Sequence, residues 1–408
     1  MQFNTLVRIS GINKVLIYLP SFFYFVGFYA LLILFINIGF YENTENITML
    51  IRFLASLFAI LFIIINRKIY LKITTYLIIF LVFSIFYLFR ISNYLYFSDP
   101  NVITSIPKAH YFLYYVSYAL IPFIFFAFIK TEKHLHLIYK SLIHSFFIFL
   151  LVSLYFYIDL LFLDVSRINI GRYLGYKTIS PLIISYCSAF IMGISLYSIL
   201  NFKTNRKFYL ILIIISFIPF LLGSSRGSMV SLVFAALFYL LAKKGIKSKI
   251  YLFIIFIGVI SVLYYLSIQF DVSLFNRLYN TNFSENIRIN TWKQSLVQFS
   301  SQPLIGEFVE AREYGGYPHN IVLEALISTG IIGGLFLVTL IGLGLNYAMK
   351  IIGQYPSHGW VSILFIQTLT YNMFSGALYM GGWFWGSLSL VFATYTINKK
   401  TKRNENFS

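Results

Sequence analysis

Long apolar runs broken by short polar clusters repeat along the whole of this chain. A helix needs about 20 apolar residues to cross the hydrocarbon of a bilayer. On that criterion the sequence predicts spans at 16–39, 48–66, 71–89, 110–129, 138–163, 178–200, 208–223, 227–242, 250–268, 319–347, 359–378 and 381–397. That makes twelve, within a range of eleven to thirteen, because two joins are blurred. One is Gly223-Ser224-Ser225-Arg226-Gly227, between two short runs, and the other holds Gly376, Gly381 and Gly382. The glycine pairs Gly330/Gly334 and Gly382/Gly386 have the spacing of close helix packing. The expectation is an all-α, polytopic transmembrane helical bundle of about 12 spans. Residues 1–408 form a single integral membrane domain, with 269–318 as one large loop within it.

Composition supports the bilayer as solvent. Of 408 residues, 59% are hydrophobic and 11% charged, whereas a soluble domain carries about 25% charged residues. The net charge of +18 would suggest nucleic acid in a soluble protein. Here the basic residues cluster between apolar runs, so they read as orientation signals and nucleic acid is not expected. The first run, Leu16 to Phe40, is longer than a signal-peptide core and lacks a small-residue cleavage site, so it is expected to remain as a span. Cys187 is the single cysteine and lies inside an apolar run, so no internal disulfide forms.

Alternate loops differ in charge. With the two ends, one set holds 20 of the 31 basic residues, including Arg67, Lys133, Lys207, Lys247 and Lys400. Basic residues are retained on the cytoplasmic side, so that set, with both termini, is assigned to the cytoplasm. The other side carries most of the acids and the 269–318 loop. There arginine outnumbers lysine by eight to three, while lysine dominates inside. Orientation needs only charge; a preference for arginine points to geometry, because guanidinium offers forked donors to phosphate oxygens.

The candidate chemistry lies on that outer side. Arg167 and Arg172 stand in Ser166-Arg167-Ile168-Asn169-Ile170-Gly171-Arg172. Arg226 is squeezed between two spans, where a charge beside the hydrocarbon is costly and marks function by default. Snorkelling to headgroups is the plainer reading of any single arginine. Arg288 belongs to 284–300, which reads as a helix lying along the membrane surface, with Ser284 as its cap and Trp292, Leu296 and Phe299 on its apolar face. His319 ends the long loop after Pro318, and histidine exchanges protons near neutral pH. Asn320 and Glu324, four apart, share a helix face and are placed to steady the helix start. No phosphate-cradling glycine loop, His-Glu-x-x-His, cysteine metal spacing or dinucleotide fingerprint occurs. No metal and no cofactor are therefore expected.

Four elements in order resemble the bacterial O-antigen polymerase/ligase family. They are Ser224-Ser225-Arg226-Gly227; Ile287-Arg288 followed by Trp292; Gln302-Pro303-Leu304-Ile305-Gly306; and Pro318-His319-Asn320-Ile321-Val322-Leu323-Glu324 running into Ser328-Thr329-Gly330-Ile331-Ile332-Gly333. They cover about the second half of the chain. Where the family often has a second glycine soon after the third element, Glu307 follows Gly306.

The resemblance implies a glycosyltransferase at the periplasmic face of the cell inner membrane, using a polyprenyl-diphosphate-linked glycan as donor. It implies His319 as general base. Arg226 and Arg288, with Arg172, would hold the charge that develops on the diphosphate. Arg167, Arg172 and Asn320 are assigned to substrate binding. Beyond the glycan lipid and the bilayer, the expected partners are a chain-length regulator and a flippase of the same pathway. Within the family, Tyr317-Pro318-His319-Asn320 looks more like polymerases, which extend a lipid-linked chain, than ligases, which transfer it to lipid A–core. The competing class is a transporter such as a glycolipid flippase. Transporters place ionisable groups near the midplane, and here the polar residues gather at one face.

Overall fold

Each apolar run ends where a polar cluster, a proline or a glycine interrupts it, and the computed structural model turns nearly every run into helix. It describes residues 11–40, 44–70, 74–97, 106–159, 179–243, 284–312 and 315–405, with isolated positions between 250 and 261. The helices are α1 (Gly11–Tyr24), α2 (Gly27–Phe35, continued by a π-helical turn Ile36–Phe40), α3 (Thr44–Tyr70) and α4 (Thr75–Phe97). Next come α5 (Lys108–Tyr114) and α6 (Ile121–Ala127), joined by a π-helical segment, then α7 (Glu132–Tyr157), α8 (Pro181–Asn201), α9 (Arg206–Gly223) and α10 (Arg226–Ala242). The chain closes with α11 (Ser284–Ser301), α12 (Ile321–Gln354), α13 (Trp360–Phe374) and α14 (Gly382–Glu405). Among the described residues the only β pairing is an isolated bridge, Ala311 with Gly316.

Seven described helices are long and apolar enough to cross a membrane, and the pair α1–α2, bent by 68°, makes up to eight. These match the runs at 16–39, 48–66, 71–89, 110–129, 138–163, 178–200, 208–223 and 319–347, and mark a multi-pass membrane protein. α10 is apolar but short. The run at 250–268 lies largely outside the described residues, as does most of the loop before 284.

α13 and α14 fall short for a physical reason. They are nearly all buried within the bundle, with Trp360, Leu364, Phe384, Trp385 and Leu388 in its core. Helices that face protein rather than lipid need not be uniformly apolar. Lipid tails are as apolar as leucine, so close contact and interhelical hydrogen bonds hold such helices. Gln367 donates to the Ala189 carbonyl (2.7 Å), Thr368 pairs with Ser387 (2.6 Å) and Ser389 donates to the Phe123 carbonyl (2.6 Å). By contrast α3, α4 and α9 expose Phe53, Ile64, Ile85, Phe89, Leu210 and Ile214.

One of the two glycine pairs behaves as expected. A β-carbon at Gly386 would meet the Phe126 ring at 3.1 Å, and one at Gly382 the Tyr118 ring at the same distance, so α14 packs closely on the α5–α6 unit. Gly330 does something else. It breaks α12, with φ 62° and ψ −163°, and it lies against the backbone of Leu304 and Ile305.

The break is matched by a turn that fits it. Freed of helical partners, the Ile327 carbonyl accepts from the amides of Glu307 (2.7 Å) and Phe308 (3.1 Å). In return the amides of Ile331 and Ile332 donate to the carbonyls of Pro303 (2.8 Å) and Leu304 (3.4 Å). Gly306, with φ +71°, would place a β-carbon 2.5 Å from the Ser328 carbonyl carbon and the Thr329 amide nitrogen. Arg90 on α4 locks the joint: Nε donates to the Ser328 carbonyl (3.1 Å), and Nη2 to those of Gly306 (2.6 Å) and Glu307 (2.9 Å). The Gln302–Gly306 and Ser328–Gly333 motifs are therefore two halves of one backbone joint.

Candidate active site

Arg226 opens α10. Ser224 closes α9 in the left-handed region (φ 40°) and Ser225 is extended, so only two residues separate the two helices. The turn is pinned to α8: Ser185 Oγ pairs with Ser228 Oγ at 2.6 Å and accepts from the Ser225 amide at 3.4 Å. A β-carbon at Gly227 would lie 2.1 Å from Tyr186 Oη, so the backbone beside Arg226 touches that hydroxyl. Arg226 itself is half-buried.

Arg288 lies near the start of α11, exposed. One turn later Trp292 donates its indole N–H to the Pro318 carbonyl at 2.8 Å. This bond ties the surface helix to the residue before His319. The expected apolar face is only partly right. α11 buries Thr291 and Ser295, and it exposes Leu296 and Val297. Gln298 binds the Glu310 carbonyl (3.1 Å) and the Arg312 amide (3.1 Å). Polar side chains seat this helix because the surface beneath it is loop backbone with open carbonyls and amides.

His319 is half-buried and has a left-handed backbone (φ 56°). Its ring meets Tyr317 edge-on at 4.5 Å, and Nδ1 faces the Ser375 carbonyl at 3.5 Å. Burial lowers its pKa below the ordinary 6.5; the Ser375 contact opposes that, and the Arg288 charge adds to it. The imidazole is therefore neutral at pH 7, the form that accepts a proton.

Tyr186 joins these pieces. It touches Gly227, meets Tyr371 edge-on at 4.7 Å between ring centroids, and lies within electrostatic reach of Arg288. Its hydroxyl is buried, with the Ser375 side chain close to it. The Arg226 turn, Arg288 and His319, from three separate stretches, thus meet around Tyr186 and Ser375.

Asn320 has a local role. Its Oδ1 caps α12 by accepting from the amides of Val322 (3.0 Å) and Leu323 (3.1 Å). Its side chain does not engage Glu324. That carboxylate points into the bundle, where it accepts from Tyr87 Oη (3.1 Å) and the Leu378 amide (2.8 Å). A buried carboxyl group needs such partners. Arg167 and Arg172 lie outside the described residues. Among the described residues no group of three His, Cys, Asp or Glu side chains is placed to hold a metal.

Residues 210–338 match a family model described as O-antigen ligase. The match bears out the resemblance to the O-antigen polymerase/ligase family, a class of membrane glycosyltransferases, and spans the Arg226 turn, α11, the backbone joint and His319. No curated protein and no solved structure matches the chain significantly.

Proposed function

We propose that the protein is an O-antigen polymerase. It would join polyprenyl-diphosphate-linked repeat units at the outer face of the inner membrane, with His319 as base and Arg226 and Arg288 as the diphosphate clamp. The observation that carries the reading is the meeting of two arginine-bearing elements with a neutral histidine around Tyr186. In the reaction, an acceptor sugar hydroxyl attacks the anomeric carbon of the lipid-linked chain. The bond from that carbon to the diphosphate oxygen breaks. The hydroxyl proton passes to His319, and the negative charge left on the diphosphate falls to the two guanidinium groups. A positioned base contributes about 10²–10⁴-fold in rate. Fixed cations aimed at the leaving group stabilise the transition state without reorganisation.

The test has two arms. Deletion of the gene and gel analysis of lipopolysaccharide separates the two jobs of the family. A single repeat unit on the core marks a polymerase; bare core with intact lipid-linked polymer marks a ligase. In the second arm Arg226→Ala, Arg288→Ala and His319→Ala are each expected to abolish polymer at normal protein level. Arg226→Lys should also fail, since an ammonium cannot make the forked contact. Wild-type banding in these variants refutes the assignment. Purified protein that moves a radiolabelled lipid-linked repeat across vesicles without chain growth would instead indicate a transporter.

A further inference from the structure

A cavity of about 620 Å³ opens beside this site, and nothing in the reaction above uses it. Thr44 and Ser180 lie in its wall, as do Tyr317 and Ser375. Arg52 and Tyr118 line it too. Arg52 lies eight residues beyond Thr44 on α3, about 12 Å along the helix axis. It sits inside a run that otherwise qualifies as a membrane span, Asn46–Asn66.

The surroundings of Arg52 are aromatic. Its guanidinium carbon is 3.7 Å from the Tyr118 ring centroid and 4.7 Å from that of Phe28. Its Nε and the Tyr118 hydroxyl are both buried, and neither has a hydrogen-bond partner among the described residues. Stacking on rings recovers part of the cost of removing a guanidinium from water. It leaves the buried Nε–H unsatisfied, and an ionisable side chain within a span is a functional site by default. Two unpartnered polar groups on one cavity wall are complementary to the same thing: an oxygen-rich anion seated between them. Arg90 makes the contrast plain. It also lies within a span, yet its Nε and Nη2 donate to three backbone carbonyls.

We propose that the Arg52 cavity is an oxyanion-binding subsite for the glycolipid substrate, taking a phosphate of the lipid carrier or the carboxylate of an acidic sugar. The proposal rests on the polymerase reading. Tyr317 and Ser375, whose ring and carbonyl contact His319, also line the cavity. An anion held by Arg52 would therefore anchor the glycolipid one side-chain layer from the base. The tyrosine rings suit the flat faces of pyranose sugars, and the depth of Arg52 suits a group entering between helices.

The experiment uses the full-length protein in detergent and measures binding of two probes. Farnesyl diphosphate represents the lipid phosphate; trigalacturonate represents the acidic glycan. Arg52→Met, which keeps the length of the side chain, is expected to melt no lower than wild type and to weaken one probe at least tenfold. The probe that is lost identifies the source of the anion. Arg52→Lys, which keeps the charge without the fork, should show a smaller loss, and it carries the test if Arg52→Met does not fold. Unchanged affinity for both probes in the variants, or no binding of either by wild type, overturns the subsite. If polymer is lost in Arg226→Ala and His319→Ala while Arg52→Met binds normally, only the subsite falls. If polymer persists in those variants, the enzyme reading falls whatever Arg52 binds.

Discussion

Replacing Arg90 with alanine removes the three side-chain hydrogen bonds that reinforce the backbone joint between the 302–307 turn and the break in α12. The bonds measure 3.1, 2.6 and 2.9 Å, and each has a charged donor. Such bonds contribute about 1.5–3 kcal/mol apiece in the folded state. Arg90 is half-buried, so water partly replaces it and the lower end applies, giving a loss of roughly 3–5 kcal/mol. Arg90→Lys keeps the charge but presents one ammonium where a fork spanned two elements, so roughly half of that loss is expected. In thermal unfolding of detergent-purified protein the alanine variant should melt on the order of 5 °C lower. Polymer should decline as well, because the loop that Arg90 anchors leads directly to Pro318 and His319. A melting point within about 1 °C of wild type, with normal polymer, would show that the joint does not depend on Arg90.

Three further outcomes follow from the geometry. Gly330→Ala forces a β-carbon to 2.3 Å from the Leu304 carbonyl carbon at a φ of +62°; backbone strain alone costs about 1–3 kcal/mol, so the yield of folded protein should drop sharply, and normal yield would refute the joint. Gly227→Ala places a β-carbon 2.1 Å from Tyr186 Oη, while the next ring atom is 3.1 Å away; activity should fall, and adding Tyr186→Phe should restore part of it, so an inert Gly227→Ala would separate Arg226 from Tyr186. Burial lowers the His319 pKa below 6.5, so base catalysis is lost only as pH falls through that lowered value; a pH–rate profile with its acid limb at or above pH 6.5 would count against His319 as the base.

The sequence revealed the chemistry better than its support. Arg226, Arg288 and His319 stand out because charged groups are rare beside apolar runs, and rarity is visible without a structure. Their convergence is not, since it depends on Tyr186, one of 33 tyrosines in a helix whose inward face has no periodic signature. Arg90, just beyond the run at 71–89, carries no sequence signal of its own, although it clasps the joint between the 302–307 turn and α12. Arg52 carried a signal that was available, a charge inside the run at 48–66 near its start, but nothing in the chain names the rings around it. Gly330 has the spacing of helix packing, and only the matching turn at Gly306 shows that it is a break. α13 and α14 read as weak spans because Gly376, Gly381 and Gly382 blur their join, and the structure adds serines, threonines and amides buried along both helices. Those residues are there because protein, not lipid, surrounds them.

The backbone joint limits how this chain can be recombined. Residues 302–308 and 327–332 exchange main-chain hydrogen bonds in both directions, so the loop ahead of α12 is not an independent insert on a neutral scaffold. A chimaera that imports a relative's loop and keeps the host helix would mate two surfaces shaped for other counterparts. Swapping everything from the start of α11 through the second half of α12 as one cassette, together with the residue at position 90, would carry the fit intact. Substrate preference grafted between relatives should transfer only in that larger block.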